Sequence, residues 1–365
     1  MPLARHSRWS AQSRVGGKRL PPQAQSYMPR PGNVDKAPGF GNEQTRGGRD
    51  PSVAIHDTPS DTMIASRKPL TRFTCRWRRL GAVIALALAA TAPAQAQDAA
   101  TLQAREAALR EALDRNAYGR PLVLESSEGT DSLRGDIYAR IERPFAAVGA
   151  ALQGIDHWCE ILMLHLNTQA CRAIDSPAGE ALELVIGQKH NQPMDQAYRF
   201  EFAYKLVASR PDYLQVLLAA NAGPLGTKDY RIVLEVAALD IRSSFVHMSY
   251  AYGQGVMARI ALQGYLATIG RNKVGFSVVG RQADGQPQFI AGTRGVIERN
   301  TMRYYLAVEA YLGALSSPSA LRFEKRLADW HAGIERYPVQ LHELELGEYL
   351  ALKRRQAGQP LALGR

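Results

Sequence analysis

The sequence predicts an α+β protein: a curved antiparallel sheet gripping one long C-terminal helix, with extra helices after it. Three observations carry that expectation. Residues 182–252 hold five strand-like segments separated by turn residues, and 197–208 places Tyr198, Phe200, Phe202, Tyr204 and Leu206 on one face, a period of two that marks a strand with one buried face. One earlier strand pattern is separated from these by two short helical patterns. Residues 293–315 then place Ile297, Thr301, Tyr304, Val308, Tyr311 and Leu315 on one helical face, wide enough to cover a sheet.

Ahead of the folded region stands a leader. Arg67, Lys68, Arg72, Arg76, Arg78 and Arg79 precede the apolar run LGAVIALALAATA, followed by Pro93 and the triplet Ala94-Gln95-Ala96. A basic cluster, a short apolar run and a small-x-small site compose a secretory signal. The run, residues 80–92, is about 13 long, whereas a spanning helix needs roughly 20. Residues 63–96 are therefore expected to be a signal peptide cleaved near Ala96, making the working protein periplasmic or secreted. Residues 1–62, rich in Pro, Gly, Ser, Gln and Arg, lack the apolar periodicity needed to fold. They are expected to precede the true start at Met63.

The leader changes the charge balance. The chain holds 45 Lys+Arg against 34 Asp+Glu, but fifteen of the basic and five of the acidic residues precede Asp98, leaving 30 against 29. A nucleic-acid partner built on overall basicity loses its support. Cysteine use follows the same division. Beyond Cys75 in the leader only Cys159 and Cys171 remain, and in an oxidising compartment one pair points to one disulfide. Two buried free thiols are the alternative. Their spacing is not C-x-x-C, and no matching His/Cys set points to a metal.

In order, residues 99–116 read as a helix with Leu102, Leu109 and Leu113 on one side, and 97–130 as a lead-in. Residues 122–124 form a short strand before the turn-rich SSEGTDS. In 134–142, Ile137, Ala139 and Ile141 face one way, Asp136, Tyr138 and Arg140 the other. Pro144 opens a helix carrying Phe145, Val148 and Leu152; Gly154 ends it, and Asp156 is placed to cap a second. Strands follow at 182–186, 197–208, 213–219, 230–237 and 243–252, with an Arg210-Pro211-Asp212 turn and a Gly223–Thr227 loop. A helix at 256–269 and a strand at 273–279 precede the long helix. Residues 316–365 read as an appendage with helices at 321–334 and 341–353.

The segments GDIYARIERPFAAVGAAL (135–152), IDHWCEIL (155–162), the strand run, and ERNTMRYYLAVEAYL (298–312) together resemble the START-like, or SRPBCC, helix-grip superfamily over residues 131–315. The helix and strand at 256–279 and the C-terminal helices depart from that plan. The resemblance implies a ligand cavity between sheet and helix; members commonly bind lipids, sterols or other apolar molecules, and some are enzymes.

Candidate lining residues are Phe200, Phe202, Tyr204, Tyr213, Tyr230 and Phe245 from the strands, with His247, and Asn300, Arg303 and Tyr304 from the helix. The alternative for the rings is a filled core, although tyrosine hydroxyls favour a partly wet cavity. Arg299 and Arg303, four apart, either hold an anionic headgroup or join an ion-pair network. Asn300, a poor helix former, hints at a specific bond. No G-x-S-x-G, H-E-x-x-H or G-x-G-x-x-G pattern occurs, so no catalytic residue, metal or cofactor is assigned, and Gly223–Thr227 lacks phosphate-loop spacing. The expected function is a non-catalytic carrier or sensor of a lipid or other apolar small molecule, with transient membrane or envelope-protein contact. The alternatives are an enzyme of the same fold using His247, Glu298 or Arg303, and an envelope interaction module docking through 321–352.

Overall fold

A computed structural model describes residues 98–187 and 192–359. The leader expected at 1–62 and 63–96 lies outside the described residues.

Helix α1 (Ala99–Asp114) starts where Asp98 accepts a hydrogen bond from the Thr101 backbone N–H at 2.8 Å, which satisfies one donor that a helix start leaves open. Strands β1 (Leu122–Glu128) and β2 (Ser132–Ile141) form a hairpin. The polar SSE part of the expected turn continues β1, because Ser126 pairs with Gly135 and Glu128 with Leu133. Helices α2 (Phe145–Leu152) and α3 (Ile155–Leu162) follow. Gly154, not Asp156, is the N-cap of α3; Asp156 lies in its first turn and makes no capping bond.

Strand β3 (Thr168–Ser176) has no counterpart in the sequence reading. It is the edge strand, buried only near its start, so it lacks the alternation that a half-buried strand imprints. It pairs with β4 (Gly179–Ile186). The meander continues through β5 (Tyr198–Ser209), β6 (Tyr213–Ala222), β7 (Thr227–Ala238) and β8 (Ser244–Gln254). Helix α4 (Val256–Ala267) comes next. The strand expected at 273–279 is instead a loop held by Gly275 N–H to Ile290 O at 2.7 Å, leading into a separate hairpin of β9 (Val278–Arg281) and β10 (Pro287–Phe289). Helix α5 (Gly292–Gly313) is the long helix. The C-terminal pattern gives α6 (Ser319–Ile334), α7 (Pro338–Leu341) and α8 (Leu346–Ala357); the single helix expected at 341–353 is broken at 342–345.

The eight-stranded sheet is antiparallel and open, in the order β1-β2-β8-β7-β6-β5-β4-β3. On one face α5 packs against β1, β2 and β8, α2 against β6 and β7, and α3 against β3 and β4. Glycine matters at one crossing: a Cβ on Gly135 would fall 3.1 Å from Thr301 Cβ and closer to its hydroxyl, so only glycine lets α5 approach β2 this closely. The opposite face is covered by α1.

A disulfide joins Cys159 of α3 to Cys171 of β3, with Cα atoms 5.3 Å apart, and contributes roughly 2–4 kcal/mol. The C-terminal helices belong to the same core. Trp330 stacks on Tyr349 at 4.9 Å, and the Tyr349 hydroxyl donates to Leu164 O at 2.8 Å. Leu327, Ile334, Leu341 and Leu352 are buried with them, so the apolar face expected to dock a partner through 321–352 is turned largely inward. No helix among the described residues is long and apolar enough to cross a membrane.

Candidate ligand site between the sheet and α5

Alternation along each strand decides which side chains meet. On β8, Val246, Met248, Tyr250 and Tyr252 join the core shared with α5, whereas Phe245 packs with α1. Across the sheet, Leu214, Val236 and Val246 stand in one register row, and Tyr213, Ala237 and Phe245 in the next. Adjacent rows point to opposite faces.

Of the expected lining residues, Phe200, Phe202, Tyr230 and Tyr304 come together, joined by Tyr250, Tyr252 and His165. Their rings form a continuous chain. Phe200 and Phe202 lie 5.2 Å apart, Phe202 and Tyr230 6.0 Å, and Tyr230 and Tyr252 5.3 Å in a stacked pair. Tyr252 and Tyr250 lie 5.7 Å apart, Tyr250 and Tyr304 5.1 Å, and Tyr304 stacks on His165 at 4.9 Å. Such ring pairs each contribute about 0.5–1.5 kcal/mol beyond the area they bury. The turn at Pro224–Gly226 closes one end of the row: Tyr230 donates to the Thr227 hydroxyl at 2.8 Å.

Three polar groups of the row, His165 Nε2 and the hydroxyls of Tyr250 and Tyr304, have no partner among the described residues. His165 is 6% exposed. Its Nδ1 accepts from the Asn167 backbone N–H at 3.2 Å, while Nε2 has no partner. Burial pushes the imidazole well below its ordinary range, and Arg303 and Lys353 add to this. The ring is therefore neutral, with its proton on Nε2 as an unused donor. Leaving such a group unpaired in the interior costs about 1–3 kcal/mol. Among the described residues, the hydroxyls of Tyr250 and Tyr304 also make no hydrogen bond, and burial pushes both phenols up. Asn300, one turn before Tyr304, is half-buried, and the specific bond expected of it is not formed with any of the described residues.

Five expected residues lie outside the row. Tyr204 shares the face but joins no ring pair; its hydroxyl donates to Gln153 O at 2.5 Å, and burial pushes it up to about 12. Arg303 turns from the sheet toward the C-terminal helices and donates to Glu343 at 2.8 Å. Of its companions on α5, Arg299 donates to Val274 O at 3.1 Å and Arg294 to Ser126. Tyr213, Phe245 and His247 are on the opposite face beneath α1, because their odd-numbered strand positions point away from Tyr230, Tyr250 and Tyr252.

There they form a charge network. His247 Nδ1 meets Glu235 at 2.6 Å and Nε2 meets Asp136 at 2.8 Å, with Tyr138 stacked on the ring at 4.4 Å. Tyr213 donates to Glu235 at 2.5 Å, and Arg134 to Asp136 at 2.8 Å. Burial pushes the His247 imidazolium down, but its two carboxylate bonds outweigh this and raise it. Burial pushes the Asp136 carboxyl up, but bonds from His247 and Arg134 hold it well below the carboxylate range.

The residues that a catalytic reading needs do not converge. His247 is beneath α1. Glu298 accepts from Phe276 N–H, Ser277 N–H, and the hydroxyls of Ser277 and Ser126. Arg303 is held by Glu343. Among the described residues, no group of three His, Cys, Asp or Glu side chains is placed to hold a metal.

No family model matches the chain, and no curated protein matches it. Solved structures do. A norcoclaurine synthase point mutant from Thalictrum flavum, in complex with a transition state analogue, is 13% identical, covers 40% of this chain and 93% of its own, and has a TM-score of 0.28. The Zhui aromatase/cyclase from Streptomyces sp. R1128 is 10% identical, covering 38% and 86%, with a TM-score of 0.28. A START superfamily protein from Mycobacterium smegmatis is 10% identical, covering 39% and 92%, with a TM-score of 0.25. At such scores the architecture rests on the chain's own connections. Strand β2, two short helices, six further antiparallel strands returning β8 beside β2, and the long α5 laid on that sheet give the chain a START-like helix-grip fold.

Proposed function

We propose that this is an exported protein that binds a lipid or another apolar small molecule between the sheet and α5, carrying or sensing it without covalent chemistry. One observation supports the site above all: a row of aromatic rings ends on His165, whose Nε2–H is buried and unpaired. Apolar walls with a few convergent polar groups are the usual make-up of a small-molecule site. The chemistry selects a ligand with an extended apolar or aromatic body and one acceptor oxygen for His165, with Tyr250 and Tyr304 as further donors. Support for export comes from the leader and the Cys159–Cys171 disulfide, since disulfides persist in oxidising compartments.

Titration with N-phenyl-naphthylamine, an apolar probe that fluoresces when buried, tests the site. Saturable probe binding is expected, with displacement by an acceptor-bearing lipid that weakens at least about tenfold in His165→Phe and Tyr304→Phe. Equal displacement in all three proteins contradicts the reading.

Transient membrane contact has its own support. Val256, Met257 and Ile260 of α4 are 71%, 68% and 60% exposed, beside Leu225 of the turn that closes the aromatic row. Exposed apolar side chains grouped this way fit a surface that meets another apolar phase. Co-flotation with vesicles that is lost in Ile260→Asp would support it, and unchanged flotation would remove it.

A further inference from the structure

An open cleft of about 820 Å³ lies away from the aromatic row, walled by α3, β3, α6 and α8, with the Cys159–Cys171 bridge in its side. Its chemistry differs from that of the interior. Two cations line it with no carboxylate partner among the described residues. Arg322 donates to Ser317 O and Leu315 O, both at 3.0 Å. Lys353 is 1% exposed and donates to His165 O at 2.7 Å and Thr168 O at 2.8 Å.

A third cation, Arg326, is 6% exposed. It reaches Glu160 through Nη1 at 2.9 Å and lies 4.3 Å over the Tyr311 ring, but its Nε has no partner. Gln356, 7% exposed, leaves its Oε1 unpaired on the same wall. Asp156 and Glu160 are the acidic lining residues; both are exposed, and Glu160 is engaged by Arg326. Met163, Leu327 and Phe323 supply an apolar flank.

Three buried polar atoms of the lining, Arg326 Nε, Gln356 Oε1 and His157 Nδ1, have no partner among the described residues, and each costs about 1–3 kcal/mol when left so. One molecule that brings an anionic oxygen and a hydroxyl would satisfy the Arg326 donor and the Gln356 acceptor. Burial also pushes the Lys353 ammonium down to about 7, and an anion in the cleft would offset that cost.

We propose that this cleft binds an amphipathic anion, a phosphate or carboxylate head on a short apolar tail. The head lies among Arg322, Arg326 and Lys353, a head-proximal hydroxyl donates to Gln356, and the tail lies along Met163 and Phe323. The cleft is lined by none of the rings of the interior row, and Lys353 lies between the two, on the His165 carbonyl.

Isothermal titration of the full chain with octyl phosphate tests the assignment, with inorganic phosphate as head alone and octyl glucoside as tail with an uncharged head. Octyl phosphate is expected to bind at least about tenfold more tightly than either comparator. Phe323→Asp, at a side chain 39% exposed, places a carboxylate in the cleft and is expected to weaken it by at least about tenfold, as is Arg322→Met. Because Arg322 also holds the end of α5, Phe323→Asp is the variant that decides if Arg322→Met fails to fold. Undiminished binding in Phe323→Asp, or equal binding of inorganic phosphate, would each overturn the proposal.

Discussion

The rings of Tyr250 on β8 and Tyr304 on α5 meet with centroids 5.1 Å apart and planes inclined by 58°. This contact joins the long helix to the aromatic row of the sheet, and neither hydroxyl is used by the fold. Tyr304→Phe should therefore change stability by less than about 1 kcal/mol while weakening an acceptor-bearing ligand. Tyr304→Ala removes the ring itself and should cost about 3 kcal/mol. Urea denaturation of the two variants beside wild type separates the contributions.

The disulfide ties α3 to the edge strand β3. Cys159→Ser with Cys171→Ser should lower stability by about 2–4 kcal/mol, read as a fall in the urea midpoint. Wild type treated with reductant should fall to the same midpoint. No change in either case would show that packing of α3 and α8 alone holds β3 in place.

Stability should depend on pH through the network beneath α1. The folded His247 pKa is raised above its ordinary 6.5, so its contribution is full below 6.5 and is lost as pH climbs through the raised value. The folded Asp136 pKa is lowered from 3.8, so its contribution is present above 3.8 and is lost as pH falls through the lowered value. Together they place the network's maximum contribution between these two ordinary values. His247→Gln removes the cation between two buried carboxylates and should cost about 3 kcal/mol near neutrality. Urea midpoints measured across pH for wild type and variant check this; parallel curves would remove the network as their source.

Gly135 and Thr301 form the closest approach of α5 to the sheet. Gly135→Ala should destabilise by about 1–3 kcal/mol through overpacking. The new Cβ meets the Thr301 hydroxyl first, which Thr301→Ser retains and Thr301→Ala removes. The double variant Gly135→Ala with Thr301→Ala should therefore recover part of the loss. A double-mutant cycle measures that coupling, and additive costs would contradict the contact.

The sheet-and-helix plan was legible because strands with one buried face and a helix lying on them stamp periods of two and 3.6 on the chain. β3 was not legible, because an edge strand under a helix end buries too little for alternation. Part of the aromatic row is legible: the type and spacing of Phe200, Phe202, Tyr230 and Tyr304 predict rings that the structure brings into one chain of contacts. Tyr213, Phe245 and His247 lie under α1 instead, because strand parity divides these odd positions from Tyr230, Tyr250 and Tyr252. His165 left no signal, since it stands in a turn and gains its meaning only from Tyr304 packed against it.

The most direct test of the interior site is native mass spectrometry of the protein purified gently from its own cells, beside Tyr304→Trp, which puts a larger ring against His165. An apolar molecule carrying an acceptor oxygen, bound to wild type and absent from Tyr304→Trp, is the predicted result. Wild type without any bound molecule, and with no thermal shift from any lipid class, would contradict it.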